Sequence, residues 1–317
     1  MVPDLPGLRE VMAAADRIRS HVHHTPVVTC TSLDRLAGCA LFLKCENLQK
    51  VGAFKARGAT NAVLSLDPAQ AARGVATHSS GNHAAALARA AAIRGIAAYI
   101  VMPTSAPAVK RAAVEGYGGR ITPCLPTLAA RESTLAEVVE RTGAAFIHPY
   151  NNPVVIAGAG TAGLELVGEV PGLDAVVAPV GGGGLLSGTA IAVTESSPGT
   201  QVWGAEPAAA DDACRSLAAG QILPSIDPKT VADGLRTSLG ELTFAIIRRH
   251  VEGILTVDEA AIVAAMRLVW ERVKLVIEPS SAVAVAVVLA HRESFAGRRV
   301  GVILSGGNVD LDHLPWA

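Results

Sequence analysis

Lys55 stands in the stretch Lys50-Val51-Gly52-Ala53-Phe54-Lys55-Ala56-Arg57-Gly58-Ala59, between an aromatic side chain and a run of small residues. A lysine held there, with little charge around it, is placed to lose its proton, and a neutral amine can form a Schiff base with an aldehyde group. Most lysines are simply solvated surface residues. Three distant segments weigh against that reading. Thr77-His78-Ser79-Ser80-Gly81-Asn82-His83 precedes the Ala-rich run Ala84 to Ala92. Ser, Gly and Asn before a helix-forming stretch make a strand-to-helix turn whose free N–H groups can hold an anion. Val176-Val177-Ala178-Pro179-Val180 leads into Gly181-Gly182-Gly183-Gly184-Leu185-Leu186-Ser187-Gly188, where backbone can approach a phosphate closely. Val302-Ile303-Leu304 ends in the polar turn Ser305-Gly306-Gly307-Asn308.

The elements around these segments are those of an α/β protein. Leu41–Lys44, Ile96–Met102, Ala175–Val180, Gln201–Ala205 and Val300–Leu304 read as strands. Gly81–Ile93, Leu128–Arg141, Gly184–Ser196 and Val257–Val273 read as helices. That alternation predicts parallel sheets with helices on both faces. The 317 residues suffice for one large or two modest domains. Half of them are hydrophobic but only 3% are aromatic, so Ala, Val and Leu must fill the core.

Several function classes fall away. A net charge of −1 gives no general attraction to nucleic acid or to an anionic membrane. Five scattered cysteines without a CxxC pair suggest neither a zinc site nor a disulfide framework. Asp4, Arg9 and Glu10 near the start do not resemble a secretory signal, and the longest apolar stretch, Ala282 to Ala290, is too short to span a bilayer. A soluble, cytoplasmic protein is expected. His21, His23 and His24 lack acidic or cysteine companions and read as an exposed cluster. The glycine run lacks the third small residue of a dinucleotide fingerprint, since Ser187 stands there, and Gly188-Thr189 supplies no Walker lysine.

Taken together, the four segments resemble the pyridoxal-phosphate enzymes of the tryptophan synthase β fold (fold type II), specifically the threonine dehydratase and serine racemase family. The similarity runs from about Thr25 to Asp310, with the segments in the family's order. It implies two domains, each an open, mostly parallel twisted sheet with helices on both faces and the cofactor in the cleft between them. The large cofactor-binding domain would comprise residues 1–71 and 150–317, and a small domain, 72–149, would be inserted in it. Lys55 would carry pyridoxal phosphate and act as general base, with Phe54 packed near the ring. Gly181, Gly182, Gly183, Gly184 and Leu185 would hold the phosphate, Asn82 the ring hydroxyl and Ser305 the ring nitrogen, with Glu278 close by. Ser79, Ser80, Asn82 and His83 would bind the substrate carboxylate, Ser80 would exchange a proton opposite Lys55, and Arg131 would line the closing cleft. Glu206, the Ala210 carbonyl and Asp212 match the family's divalent-cation site, for Mg²⁺, Mn²⁺ or Ca²⁺. A homodimer is expected.

A hydroxyl at Ser305 cannot keep the pyridine nitrogen protonated as an aspartate would. A neutral ring is a weaker electron sink, which favours loss of a β-leaving group over a long-lived carbanion. The resemblance therefore implies elimination of water from small L-β-hydroxy amino acids, with L-threonine and L-serine first, threo-3-hydroxyaspartate third and serine racemisation as the rival. Departures concern the pocket. Ala84 and Ala85 follow His83 where the family has Gly-Gln, Ala159 replaces a common Gln, and Ser281 a Gly or Ala. Tyr150 resembles the aromatic residue of many dehydratases. The chain stops soon after the Ser305 turn, so a C-terminal regulatory domain responding to isoleucine is not expected.

Overall fold

Ala175–Pro179 is apolar at every position, and every position is buried. Such a strand lacks a wet face and needs cover on both sides. The computed structural model, which describes residues 5–79 and 81–316, supplies that cover in two sheets. The strands are β1 (Val27–Val28), β2 (Ala40–Cys45), β3 (Val75–His78), β4 (Ala98–Pro103), β5 (Arg120–Cys124), β6 (Ala145–Phe146), β7 (Ala175–Pro179), β8 (Gln201–Pro207), β9 (Gly253–Val257) and β10 (Arg299–Leu304). The larger sheet has the order β1-β2-β10-β7-β8-β9 and the smaller one β5-β4-β3-β6. Every pairing is parallel except β1 with β2.

The five expected strands appear within about two residues of their expected bounds. The expected helix over Val257–Val273 is shorter: β9 takes Val257, the α-helix runs Glu259–Leu268, and a wider π turn occupies Val269–Val273. Asp258 caps that helix by accepting from the Ala261 amide, which fixes where strand gives way to helix.

Small side chains set the packing. The helix Pro279–Ala290 is buried from Ser280 to Val288 and fills one face of the larger sheet with Ala and Val. Ala84–Ala91 fill the smaller sheet's cluster, which also takes in Ala59, Ala62, Val63 and Val155 from outside 72–149. The helices Pro153–Glu169 and Gly184–Ser196 touch backbone to backbone. A β-carbon at Gly160 would lie 2.6 Å from the Gly188 carbonyl oxygen, so only glycine fits that crossing.

Candidate active site

Lys55 is the first residue of the helix Lys55–Ser65, and the chain just before it is tied to the end of β10. The Phe54 amide donates to the Ser305 carbonyl at 3.0 Å, and Ala53 bridges Gly306. The ammonium lies 5.0 Å from the Phe54 ring centroid and donates to the Pro149 carbonyl at 2.8 Å. Crowding by protein atoms strips water from it and lowers its pKa to about 8, against the opposing pull of Glu278. The amine is thus far easier to deprotonate than a surface lysine.

Asn82 opens the helix Asn82–Arg94. Its amide nitrogen donates to Glu278 at 3.1 and 3.2 Å, and its oxygen accepts from Asn308 at 2.9 Å. Glu278 is buried, and its amide donates to the Gly306 carbonyl. Burial, then the charge of Asp233, pushes its carboxyl up to about 7, while the Asn82 hydrogen bond pulls the other way. Ser305 is buried at the end of β10. Thus Lys55, Phe54, Asn82, Glu278 and Ser305 come together from four separate parts of the sequence.

The glycine run forms the opposite wall. Gly183 takes the left-handed conformation (φ +87°) just ahead of the helix Gly184–Ser196, whose N-terminus has no side-chain cap among the described residues. Its first amides are therefore free to bind an anion. A β-carbon at Gly182 would run into the Tyr150 ring, so the loop's narrowness depends on glycine. Thr243 braces the loop by donating from Oγ1 to the Gly182 carbonyl at 2.9 Å.

Three histidines line the side nearest the smaller sheet. His83 is buried with Nε2 against the Ile147 carbonyl (3.2 Å) and Nδ1 unpartnered among the described residues. Burial and then the Lys55 charge depress its pKa to about 3. His148 accepts at Nδ1 from the amides of Tyr150 and Asn151, and burial, His78 and Lys55 bring it to about 4. Burial and then Arg131 lower His78 as well. All three stay neutral at neutral pH.

Arg131 lies in the helix Leu128–Thr142, close enough to His78 and Tyr150 for its charge to act on both. Its Nε is buried and has no partner among the described residues. Ser79 accepts from the Gly81 amide at 3.3 Å, which shapes the turn. Ser80 lies outside the described residues.

Glu206, in β8, and Asp212 are both buried. Glu206 accepts from the amides of Ala213 and Cys214, each at 2.8 Å, and so also caps the following helix. Burial raises its pKa to about 8 and that of Asp212 to about 6. Asp212 Oδ2 has no partner among the described residues, and Arg215 is engaged by Asp211. Ala210 closes the short turn between the two carboxylates.

His24, expected to lack acidic companions, has two in the fold, Glu165 and Glu169, which lie far from it in sequence. Lys44 already binds both, at 2.9 Å to Glu165 and 2.6 Å to Glu169. Sequence reasoning also misses His148, Lys110, Asp233 and Asn308 as parts of the site. For His148 a signal exists, because His148-Pro149-Tyr150-Asn151-Asn152 is a polar break just after β6, at the end of strands where α/β proteins bind ligands.

Residues 18–306 match the family model for pyridoxal-phosphate dependent enzymes. The chain belongs to that family. Among its relatives, a beta-hydroxyaspartate dehydratase from Paracoccus denitrificans is 54% identical, covering 98% of this chain and 99% of the relative. A serine racemase from Dictyostelium discoideum is 48% identical, covering 97% of this chain and 96% of the relative. The crystal structure of serine racemase from that organism superposes with a TM-score of 0.93, over 96% of this chain and 99% of that one. A crystal structure of threonine deaminase from T.th. gives 0.92 at 48% identity, with the same coverage. The protein is thus a pyridoxal-phosphate enzyme of the group that holds ammonia-lyases and amino-acid racemases. No described helix is long and apolar enough to cross a membrane.

Proposed function

We propose that the protein removes water from 3-hydroxyaspartate, giving oxaloacetate and ammonia. The observation that carries this reading is Arg131: a cation near the site, with a buried Nε, no partner among the described residues, and three neutral histidines around the pocket. A dicarboxylic substrate brings two carboxylates, and the site offers two places for them. One is the first turn of the helix Asn82–Arg94, behind Ser79 and Gly81. The other is Arg131, which serine or threonine would leave unpaired. The beta-hydroxyaspartate dehydratase at 54% identity supports the same choice.

The residues present fit the cofactor. The uncapped N-terminus behind Gly181–Leu185 suits the phosphate, Asn82 the ring hydroxyl, and the Ser305 hydroxyl the ring nitrogen. Pyridoxal phosphate, held by Lys55 until the substrate amine takes its place and frees the lysine, would supply electron withdrawal from the substrate α-carbon. Lys55, with its lowered pKa, takes the α-proton at Nζ. The C–H electron pair forms the Cα–Cβ double bond as the β-hydroxyl leaves, and with a proton it becomes water. The released enamine tautomerises and hydrolyses to the 2-oxo acid and ammonia. Phe54 shields this step from solvent, and Glu278 fixes the orientation of Asn82.

A divalent cation fits Glu206, Asp212 and the Ala210 carbonyl: two buried carboxylates without a counter-charge, one with an orphaned oxygen, are hard ligands awaiting a cation. The charge of Asp212 is felt at Tyr150, so this ion would brace the wall behind the glycine run. We further propose that residues 72–149 act as a small mobile domain, and that the protein is a homodimer.

The test is proton NMR in D₂O, with the cofactor-loaded protein, Mg²⁺, and L-threo-3-hydroxyaspartate, L-serine or L-threonine. The expected result is oxaloacetate formed with a kcat/KM at least about tenfold above that for pyruvate from serine, an advantage lost in Arg131→Met, as one charge-assisted hydrogen bond warrants. Equal rates, or an advantage that survives the substitution, would remove Arg131 from this role. The second reading, serine racemisation, has the 48% identical racemase behind it, and would show as loss of the α-proton signal without keto acid.

A further inference from the structure

Lys110 and Asp233 meet across the mouth of the site, and no step described above uses them. Lys110 lies in the helix Ala108–Gly116, which packs against the helix Asn82–Arg94 on the smaller sheet. Asp233 begins the turn Asp233–Leu235, which belongs to the larger sheet's side. That turn abuts the phosphate-side loop, since a β-carbon at Gly181 would sit 2.8 Å from the Leu235 α-carbon. It is also pinned at the cofactor side, where the Gly234 amide donates to Ser280 Oγ at 3.0 Å.

The Lys110 ammonium donates to Asp233 Oδ2, joining residues 123 apart in sequence. The two side chains are 20% and 45% exposed, so the pair is partly shielded from water. Lys110 Nζ lies 3.6 Å from where a β-carbon of Gly81 would stand, directly over the turn that presents Asn82. Both residues border a cavity of about 460 Å³ that also touches Gly81, Asn82 and Asn308 but not Lys55. Asp233 raises and Lys110 lowers the proton affinity of Glu278, which places both charges within reach of the Asn82–Glu278 contact.

Exposed ion pairs contribute little to stability. This one differs in what it joins. One end is fixed to the glycine run that faces the cofactor phosphate, and the other to the turn that would hold the substrate carboxylate. We propose that the Lys110–Asp233 ion pair is a latch that holds the Gly81–Asn82 turn closed over the cofactor, making both residues positioning groups for β-elimination. The turnover part of this inference rests on the function proposed above; the closure part does not. Releasing the latch lowers the closed population, and apparent substrate affinity falls by the same fraction.

The experiment uses the cofactor-loaded enzyme as wild type, Asp233→Asn, Lys110→Met, and the charge exchange Lys110→Asp with Asp233→Lys. KM and kcat for L-threo-3-hydroxyaspartate are measured beside hydrogen–deuterium exchange of residues 104–117 and 81–90. Each single variant is expected to raise KM about tenfold, the effect of a tenfold drop in closed fraction, with kcat changed far less. Exchange should quicken in both segments, and the charge exchange should recover most of both effects. Unchanged KM and exchange in the single variants, or no recovery on charge exchange, overturns the latch. If wild type ignores hydroxyaspartate, the proposed substrate fails while the exchange data still decide the latch. If a single variant does not fold, wild type in rising salt decides: faster exchange at 104–117 supports the latch, and salt-independent exchange overturns it.

Discussion

Two buried charge clusters flank this site, and they are built on opposite principles. Behind Lys55, on the same helix, Arg57 is wholly buried and spends its guanidinium on Glu46 (2.7 and 2.8 Å), Glu165 (2.7 and 2.7 Å) and the Thr161 hydroxyl (3.1 Å). Lys44, also wholly buried, lies 2.9 Å from Glu165 Oε2 and shares that oxygen with Arg57. Burial alone would raise the Glu165 carboxyl, yet Arg57 and Lys44 hold it below its ordinary range. Behind Tyr150, Glu206 and Asp212 are equally buried but have no ion-pair partner among the described residues, and their carboxyls rise. The first cluster is complete and fixes the helix that begins with Lys55. The second lacks a cation among the described residues, which is what a cation site lacks before its ligand arrives.

The largest expected effect tests the completed cluster. Arg57→Met leaves Glu46 buried without its cation and Glu165 with Lys44 alone, and should cost about 3–5 kcal/mol in urea unfolding of the apoprotein. Adding Glu46→Gln should recover part of that loss; a double variant as unstable as the sum of the two singles would show that Arg57 acts through something other than these carboxylates.

The incomplete cluster predicts a smaller response with a definite sign. Glu206 ionises near 4.5 when unfolded and near 8 when folded, and Asp212 shifts the same way, from 3.8 to about 6. Their contribution is therefore fully present below the unfolded values and lost as pH rises through the folded ones. His83 and His148, depressed to about 3 and 4, act in the opposite sense below 6.5. The cleaner quantity is thus the stability of chelated wild type minus that of Glu206→Gln, which should fall between about pH 4.5 and 8. A divalent cation at about a hundred times its dissociation constant should then add about 2.7 kcal/mol to wild type at about pH 8. A flat difference curve with no cation response would erase the contrast between the two clusters. The smallest effect is expected at His24, whose side chain is 66% exposed beside the already neutralised Glu169. His24→Ala should move stability by no more than about 0.5 kcal/mol and leave cation stoichiometry, read by atomic absorption, unchanged.

This contrast also marks what can be read from the sequence. Lys55, the glycine run, Asn82 and Ser305 announce themselves because a phosphate loop or an activated lysine needs particular residue types beside a strand end. Glu206 and Asp212 are legible as a pair because they flank one short turn. The Arg57 cluster is not, since Glu165 lies 108 residues away and only the packing of two helices brings it near. Lys110 and Asp233 are hidden for the same reason. Among the strands, β5 carries Arg, Thr and Pro in five residues, and β6 is two residues long, so neither shows a period. The end of β9 directly adjoins the helix that follows it, with only Asp258 and Glu259 marking the boundary before the apolar positions Ile262 and Val263.

β10 is the last of the described strands in sequence, yet it sits inside the larger sheet between β2 and β7, and its end holds Phe54 in place. A ribosome releasing this chain from the N-terminus therefore exposes two unsatisfied strand edges until residue 304 has emerged. Lys55 is synthesised early, but its seat is finished last. Cofactor capture must then wait for β10, and once β9 has formed the larger sheet exists as two halves, β1-β2 and β7-β8-β9, until that strand joins them.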